Sequence, residues 1–177
     1  MRKIFKGVLI LLGITILLSL MPSLPAMAAD TETFVYKSPY FSLTVPKWRK
    51  TSSRNPNSVL RKALEKSEET SFDVAVSDLS EGKTYKDLAK DICDRLEDEY
   101  GAYNCRTLYE RDIKLKDGTP AYELEVKWML NLPRLTAQLY CYELAVFVDK
   151  KIITITVASP SPITDKLKEI PLSLTLK

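Results

Sequence analysis

The sequence of 177 residues contains no histidine and only three cysteines. Without histidine, a Ser-His-Asp or Cys-His catalytic centre is excluded and the commonest transition-metal ligand is missing. The cysteines form no Cys-x-x-Cys motif, which argues against redox catalysis. No catalytic or metal-binding constellation stands out elsewhere, so we expect neither an enzyme nor a bound metal or cofactor.

Long apolar runs are also absent after the first 28 residues, and those residues have the three parts of a secretory signal peptide. A basic start precedes an apolar run, Val8–Leu20, and an Ala-x-Ala pattern ends at Ala28. The run of 13 residues is shorter than the roughly 20 that cross a bilayer. The alternative, an uncleaved membrane anchor, is disfavoured by Pro22 and Pro25. We therefore predict a cleavable signal peptide at 1–28 and a single exported domain at 29–177, periplasmic or secreted.

Net charge is low once the leader is removed. Cleavage removes Arg2, Lys3 and Lys6, which leaves 23 of the 26 Lys and Arg residues against 23 Asp and Glu. The basic character therefore belongs to the precursor, and the neutral mature domain lacks the positive charge typical of nucleic-acid binding.

The three cysteines are Cys93, Cys105 and Cys141. An odd number in an exported chain indicates at most one internal disulfide and one remaining thiol. Cys93 and Cys105 are nearest in sequence and are the disulfide candidates, although the sequence leaves open whether they are bridged. Cys141 lies in a strand-like run and is expected to be a small buried side chain.

Periodicity predicts one long helix, a short helix at 164–169 and strands joined mostly by hairpins, which together make an α+β domain. The long helix follows Gly82, with Thr84 as N-cap, and ends at Gly101. Segment 59–69 is ambiguous between helix and edge strand. In segment 105–115 alternate residues are expected to share one face. In segment 122–128 strict alternation predicts one packed face and one face in water, with Glu123 and Glu125 exposed.

Several segments, taken in order, resemble the PsbP-like proteins, a superfamily of exported or thylakoid-lumenal accessory domains whose fold a Ran-binding import factor shares. The segments that carry the resemblance are Phe41–Trp48, Asp78-Leu79, Thr84–Ala89, Lys116–Tyr122 and Ser173–Leu176. The resemblance covers nearly all of the mature chain. It implies an α/β/α sandwich around a central antiparallel sheet, and a domain that acts by binding.

The most pointed surface feature is a row of four aspartates on the long helix, opposite its apolar stripe: Asp87, Asp91, Asp94 and Asp98. Such a row can dock a basic partner or bind a hard cation weakly, whereas its simplest interpretation is a solvated face. Tyr100 and Tyr103, in the loop after the helix, are further candidates for partner contact.

The sequence therefore predicts an exported, non-catalytic accessory domain that docks on a protein partner in the cell envelope or outside the cell. The mature form is expected to bind no nucleic acid and not to be embedded in a membrane. The alternatives are a small exported enzyme that uses carboxylates or a thiol, and a weak cation-binding protein.

Overall fold

A computed structural model describes residues 30–64, 70–78, 82, 87–132, 135–148 and 150–177. The predicted signal peptide, the predicted N-cap Thr84 and part of the ambiguous segment lie outside these residues. Within this description, Thr31–Lys177 form one compact unit.

Ten strands and two helices make up the described part of this unit. The strands are β1 (Thr31–Lys37), β2 (Tyr40–Pro46), β3 (Arg49–Lys50), β4 (Ser58–Ala63), β5 (Ser71–Asp78), β6 (Tyr103–Lys114), β7 (Pro120–Leu132), β8 (Leu135–Val148), β9 (Lys151–Ser159) and β10 (Thr175–Leu176). The helices are α1 (Leu88–Tyr100) and α2 (Asp165–Leu172).

The strands form two antiparallel sheets. The large sheet has seven strands in the order β3-β4-β5-β9-β8-β7-β6, and the small sheet has the order β1-β2-β10. In the large sheet, β7, β8 and β9 follow one another through hairpins, because their apolar and β-branched residues pair in continuous antiparallel register.

Helix α1 covers one face of the large sheet, called here the α1 face. Ile92 and Leu96 project from the helix onto Leu124, Val126 and other buried side chains of β7 and β8. The helix ends at Gly101, whose φ of 67° is the left-handed conformation that glycine adopts without strain. This packing places Ile92 and Leu96, two residues of the apolar stripe predicted from the sequence, inside the core.

Helix α2 contacts the opposite face, called the α2 face, and also the small sheet. Its Leu167 and Ile170 are buried, as are Phe41, Leu43 and Val45 of β2. Beyond the helix, Ser173 Oγ accepts a hydrogen bond from Thr44 N at 2.9 Å, which ties the end of α2 to β2.

The buried amine of Lys62, in β4, links the large sheet to the small sheet. Lys62 Nζ donates to Pro46 O at 3.0 Å and forms an ion pair with Glu32 on β1. A lysine whose side chain is 3 % exposed needs such partners, because an uncompensated buried ammonium is strongly unfavourable.

The predicted α+β fold with an α/β/α sandwich and one long helix is wrong. Strands dominate the described residues, and the helices have only 13 and 8 residues. A helix of 13 residues is about 20 Å long, whereas seven strands extend over about 29 Å. Helix α1 therefore leaves part of its face uncovered, and on the other face α2 shares its packing with the small sheet.

Strand β6 departs from simple alternation. Its register with β7 shifts between Thr107 and Tyr109, so Thr107 lies opposite Val126 while Tyr109 lies opposite Glu125. A bulge of this kind moves the following side chains to the other face of a sheet. The prediction that alternate residues of 105–115 share one face is therefore wrong.

Two boundaries also differ from the sequence prediction. The described part of the ambiguous segment is strand β4, because it pairs with β5 in the large sheet. The short helix predicted at 164–169 extends further, to Leu172, and β10 contains only two residues.

Candidate functional site

A cleft of about 530 Å³ lies on the α1 face, in the part of the large sheet that the helix leaves uncovered. Its floor is formed by β5, β9, β8 and β7, and its walls by α1 and the connection 51–57 between β3 and β4. The volume lies in the range of ordinary ligand sites. One end is lined mainly by polar groups and the other mainly by apolar and aromatic ones, which makes the cleft amphipathic.

Asp73 is the central group of the polar end. Its Oδ2 accepts a hydrogen bond from Ser53 Oγ and lies 3.6 Å from Arg61 Nη1. Arg61 Nη2 also donates to Ser71 Oγ at 3.3 Å. Asp73 Oδ1 is buried and has no hydrogen-bond partner among the described residues. A buried acceptor without a partner is energetically costly.

Trp128 and Tyr100 form the aromatic end, with ring centroids 6.1 Å apart. The guanidinium of Arg54 lies 5.1 Å from the centroid of the Tyr100 ring, so the connection 51–57 reaches across to α1. Trp128 is buried, yet its Nε1 has no hydrogen-bond partner in the described part of the chain. The aromatic end therefore has an unused donor, as the polar end has an unused acceptor.

Between the ends, Glu143 is held by two donors. Arg95 Nη2 of α1 donates to Glu143 Oε2 at 3.1 Å, and Thr156 Oγ1 donates to the same oxygen at 2.8 Å. The neighbouring Cys141 is buried, as predicted. Its burial, and to a smaller extent the negative charge of Glu143, raise the pKa of its thiol. A thiol that stays protonated is a poor nucleophile.

The carboxylates Glu123 and Glu125 lie on the α2 face, and the prediction that they face water is wrong. Both are buried. Glu123 accepts from Arg111 Nε at 2.5 Å and from Tyr142 Oη at 2.5 Å, while Glu125 Oε2 lies 3.0 Å from Lys168 Nζ. Alternation correctly separates the two faces of β7 but does not reveal that α2 covers the second one.

In this second polar cluster, formed by Glu123, Glu125 and their partners, the pKa shifts keep each partner in the charge state that its hydrogen bonds require. Burial, with the hydrogen bond to Glu123, raises the pKa of Tyr142, and burial raises the pKa of Tyr109. Burial alone would lower the pKa of Lys168, but its hydrogen bonds with Tyr109 and Glu125 raise it overall. The tyrosines thus stay neutral and the lysine stays charged at neutral pH, which suits the ion pair under α2. Tyr142 is fully buried and packs under Lys168 of α2.

The aspartates predicted as a docking row lie on α1 and at its N-cap. Asp87 is the N-cap of α1 and is exposed, Asp94 and Asp98 are exposed, and Asp91 is half-buried. Within the described residues, no three His, Cys, Asp or Glu side chains are placed to hold a metal ion. The structure therefore leaves an exposed acidic face on α1.

The two predicted contact tyrosines lie in different surroundings. Tyr100 lines the cleft. Tyr103 is half-buried and donates from Oη to Asn131 Oδ1 at 3.0 Å. Only Tyr100 therefore belongs to the cleft.

Cys93 of α1 and Cys105 of β6 are joined by a disulfide in the structure. The bond closes a short connection of 12 residues and fixes the C-terminal half of α1 against the edge of the large sheet. It therefore helps to define the wall of the cleft.

Sequence reasoning did not identify the cleft. Its polar groups come from the connection 51–57 and from β4, β5 and β9, and only strand pairing brings them together. One local pattern points to it, namely the ionisable Asp73 between Phe72 and Val74, two fully buried residues of a central strand. In the described part of the chain, neither helix is long and apolar enough to cross a membrane.

No known protein-family model and no curated protein sequence matches this chain. Solved structures do match. The cyanobacterial PsbP (CyanoP) from Synechocystis sp. PCC 6803 has a TM-score of 0.62 at 15% identity, over 84% of this chain and 94% of that one. The Ran-binding protein Mog1p of Saccharomyces cerevisiae has a TM-score of 0.55 at 12% identity, over 84% of this chain and 96% of that one. The chain thus has the PsbP-like fold that its sequence motifs indicate.

Proposed function

We propose that this protein is an exported, non-catalytic accessory domain that acts by binding a protein partner. The observation that carries the proposal is the pairing of the carboxylates in the cleft and beside it. Asp73 is paired with Arg61 and Glu143 with Arg95, and the nearby Cys141 thiol is buried. Carboxylates already engaged in ion pairs are poorly placed to transfer protons, whereas an amphipathic cleft is suited to binding.

The fold supports the same proposal. Among the matching structures, one is described as a Ran-binding protein and another as a cyanobacterial PsbP. A fold alone does not determine an activity, but the likeness to a Ran-binding protein supports a binding role.

Export is the second part of the proposal. It is supported by the signal-peptide pattern at 1–28 and by the disulfide between Cys93 and Cys105, because disulfides persist mainly in oxidising compartments. The site of action proposed is the cell envelope or the medium outside it.

The exposed acidic face of α1 is the proposed docking surface for the protein partner. Asp94 and Asp98 lie four residues apart and are exposed. Basic groups of a partner can therefore contact both carboxylates without burying charge inside the domain. Electrostatic docking of this kind weakens as salt increases.

Affinity capture from the envelope fraction of the source cells tests the proposal. Residues 29–177 are immobilised as wild type, as Asp94→Asn/Asp98→Asn, and as the control Asp112→Asn/Glu169→Gln, which makes the same charge change on exposed positions elsewhere. We expect a protein that is retained by wild type and control and lost with the α1 variant. If no protein is retained by the wild type, the binding role is wrong; if the α1 variant retains it, the docking surface is wrong.

A further inference from the structure

We propose that a second cavity, on strands β6, β7 and β8 of the large sheet, binds the phosphate group of an organic phosphate monoester. The cavity has a volume of about 520 Å³, and its lining includes Asn104, Arg106, Lys127, Met129 and Gln138. This inference goes beyond the proposed function, and it does not depend on the acidic docking surface of α1.

Strand register places two cations side by side at this cavity. Lys127 follows Glu125 by two residues in a regular part of β7, so both side chains project from the α2 face. Arg106 of β6 lies directly opposite Lys127, and Tyr140 of β8 lies opposite it on the other side. Residues that lie directly opposite on neighbouring strands share a face, with Cβ atoms about 5 Å apart. A single anion can therefore contact both cations.

Both cations are accessible to a ligand. Arg106 is exposed and Lys127 is half-buried, whereas Glu125, nearer to α2, is buried. Met129 and Gln138 lie opposite each other and continue the same face beyond Lys127. Since Met129 is half-buried, the cavity has an apolar surface next to its two positive charges.

Neither cation has an acidic partner among the residues that the structure describes. The nearest carboxylate on β7, that of Glu125, is already paired with Lys168 at 3.0 Å. Like charges that lie directly opposite each other on neighbouring strands are destabilising. The pair of Arg106 and Lys127 is therefore an electrostatic cost to the fold, and a bound anion would remove it.

The charges select the class of anion. Two adjacent cations are balanced by a doubly charged group, and a phosphate monoester carries about −1.5 to −2 at pH 7. A carboxylate or a phosphate diester carries one negative charge and would leave one cation unbalanced. The Arg106 guanidinium can donate two parallel hydrogen bonds to phosphate oxygens, while Lys127 supplies a compact charge. Because the cavity is larger than a phosphate ion and Met129 adds apolar surface, an organic ester fits better than free phosphate.

NMR titration of the mature protein, residues 29–177, tests the proposal. The probes are phenyl phosphate, methyl phosphate, inorganic phosphate, dimethyl phosphate and acetate, each added to about 10 mM in about 0.15 M NaCl. We expect phenyl phosphate to shift the Lys127 and Met129 amide signals and the Arg106 Nε–H signal. It should bind at least about threefold more tightly than inorganic phosphate, and dimethyl phosphate and acetate should bind at least about tenfold more weakly than methyl phosphate.

The same titration can contradict the proposal in three ways. The proposal is wrong if phenyl phosphate leaves these signals unmoved, or if dimethyl phosphate binds as tightly as methyl phosphate. It is also wrong if inorganic phosphate binds more tightly than phenyl phosphate, because the ligand would then be the free ion. Affinity for phenyl phosphate should fall on acidification to about pH 5, because protonation below a second pKa of about 6 removes one negative charge from the ester.

Matched variants locate the site. Arg106→Gln/Lys127→Gln removes both cations, and the control Lys37→Gln/Lys150→Gln removes two exposed lysines outside the cavity lining. We expect the dissociation constant for phenyl phosphate to rise at least about tenfold in the first variant and to stay within about twofold of wild type in the control. Lys127→Arg keeps the charge and should retain binding. Equal loss in both double variants would mean unspecific charge attraction and would overturn the proposal.

Melting curves without phosphate separate loss of binding from loss of folding. Lys127→Gln should melt no lower than wild type, because it relieves a repulsion with Arg106. Phenyl phosphate should raise the melting temperature of wild type but not that of Arg106→Gln/Lys127→Gln, because a ligand of the folded state stabilises it. If Lys127→Gln melts lower and still binds phenyl phosphate as wild type does, the cation has a structural role and the inference fails, while the proposed binding of a protein partner is unaffected.

Discussion

Glu123 shows how a single buried carboxylate depends on its partners. It is almost fully buried and accepts hydrogen bonds from Arg111 and from the fully buried Tyr142. The Tyr142 hydroxyl has no water available to replace this acceptor at its buried position. The energetic role of Glu123 is therefore to satisfy a buried donor, in addition to its ion pair with the exposed Arg111.

We expect Glu123→Leu to lower the free energy of unfolding by about 1–3 kcal/mol, because the Tyr142 hydroxyl loses its acceptor. Adding Tyr142→Phe should recover part of this loss, since the unsatisfied hydroxyl is then removed as well. Urea denaturation of both variants measures the effect, with the exposed Glu97→Gln as control, for which about 0.5 kcal/mol or less is expected. A double variant less stable than Glu123→Leu would contradict this assignment.

The ion pair of Glu32 makes the stability of the folded protein depend on pH. Its hydrogen bond and ion pair with Lys62 lower its pKa below the ordinary 4.5. A carboxyl whose pKa is lower in the folded state adds stability above its unfolded pKa, and this contribution is lost as pH falls through the folded pKa.

The melting temperature of wild type should therefore fall as pH decreases below about 4.5. Glu32→Gln should be less stable than wild type at pH 7 and should lose less on acidification. Melting curves from pH 7 to pH 3 measure both effects, and Asp112→Asn, altered at an exposed position, should follow the wild-type curve. Parallel curves for Glu32→Gln and wild type would refute the role of this pair.

At the scale of elements, Lys168 is the main polar link between α2 and the large sheet among the described residues. Lys168 pairs with Glu125, and its Nζ lies 5.0 Å from the Tyr109 ring centroid and 5.5 Å from that of Tyr142. The bulge in β6 is what brings Tyr109 to this face. Helix, bulge and buried carboxylate therefore depend on one another.

We expect Lys168→Met to destabilise the protein by about 1–3 kcal/mol, because Glu125 remains buried without its cation. Lys166→Met, on the exposed side of the same helix, should change stability by about 0.5 kcal/mol or less. The double variant Glu125→Leu/Lys168→Met should recover part of the loss, because the unpaired charge is removed. Denaturant unfolding of wild type, Glu125→Leu, Lys168→Met and the double variant measures this cycle, and additive effects would rule out the coupling.

At the scale of the whole molecule, Thr31–Lys177 form one compact unit, and a disulfide adds a covalent link within it. The disulfide between Cys93 and Cys105 attaches α1 to β6, and Cys141 is buried in the core beside them. All three cysteines belong to one region. Their reactivity therefore reports both on disulfide formation, which accompanies export, and on folding of the core.

Mass spectrometry of the exported protein should find an N-terminus at Ala29 and a mass that corresponds to residues 29–177 with one disulfide. Iodoacetamide should modify no cysteine in the native protein, one after denaturation, and three after denaturation and reduction, because only Cys141 is a free thiol. Rapid modification of native Cys141 would favour the alternative of a thiol enzyme.

The double variant Cys93→Ser/Cys105→Ser should lower the free energy of unfolding by about 3 kcal/mol, as expected for a loop of this length.

Local patterns were sufficient for most elements. The apolar stripe of α1, the hairpin strands β7 to β9 and the buried Cys141 followed from periodicity, because each depends on neighbours close in sequence. The motif order predicted the PsbP-like fold for the same reason, since it records the succession of elements along the chain.

Other features were decided only by the tertiary structure. The burial of Glu123 and Glu125 depends on α2, which follows β7 by more than 30 residues. The bulge in β6 depends on pairing with β7, and the cleft depends on four strands and a connection that meet only in the folded protein. The sequence by itself thus determined which face each side chain occupies in a regularly alternating strand such as β7, but not in the bulged strand β6. What covers each face, and what space remains there, was decided by packing between distant elements, because no local period encodes it.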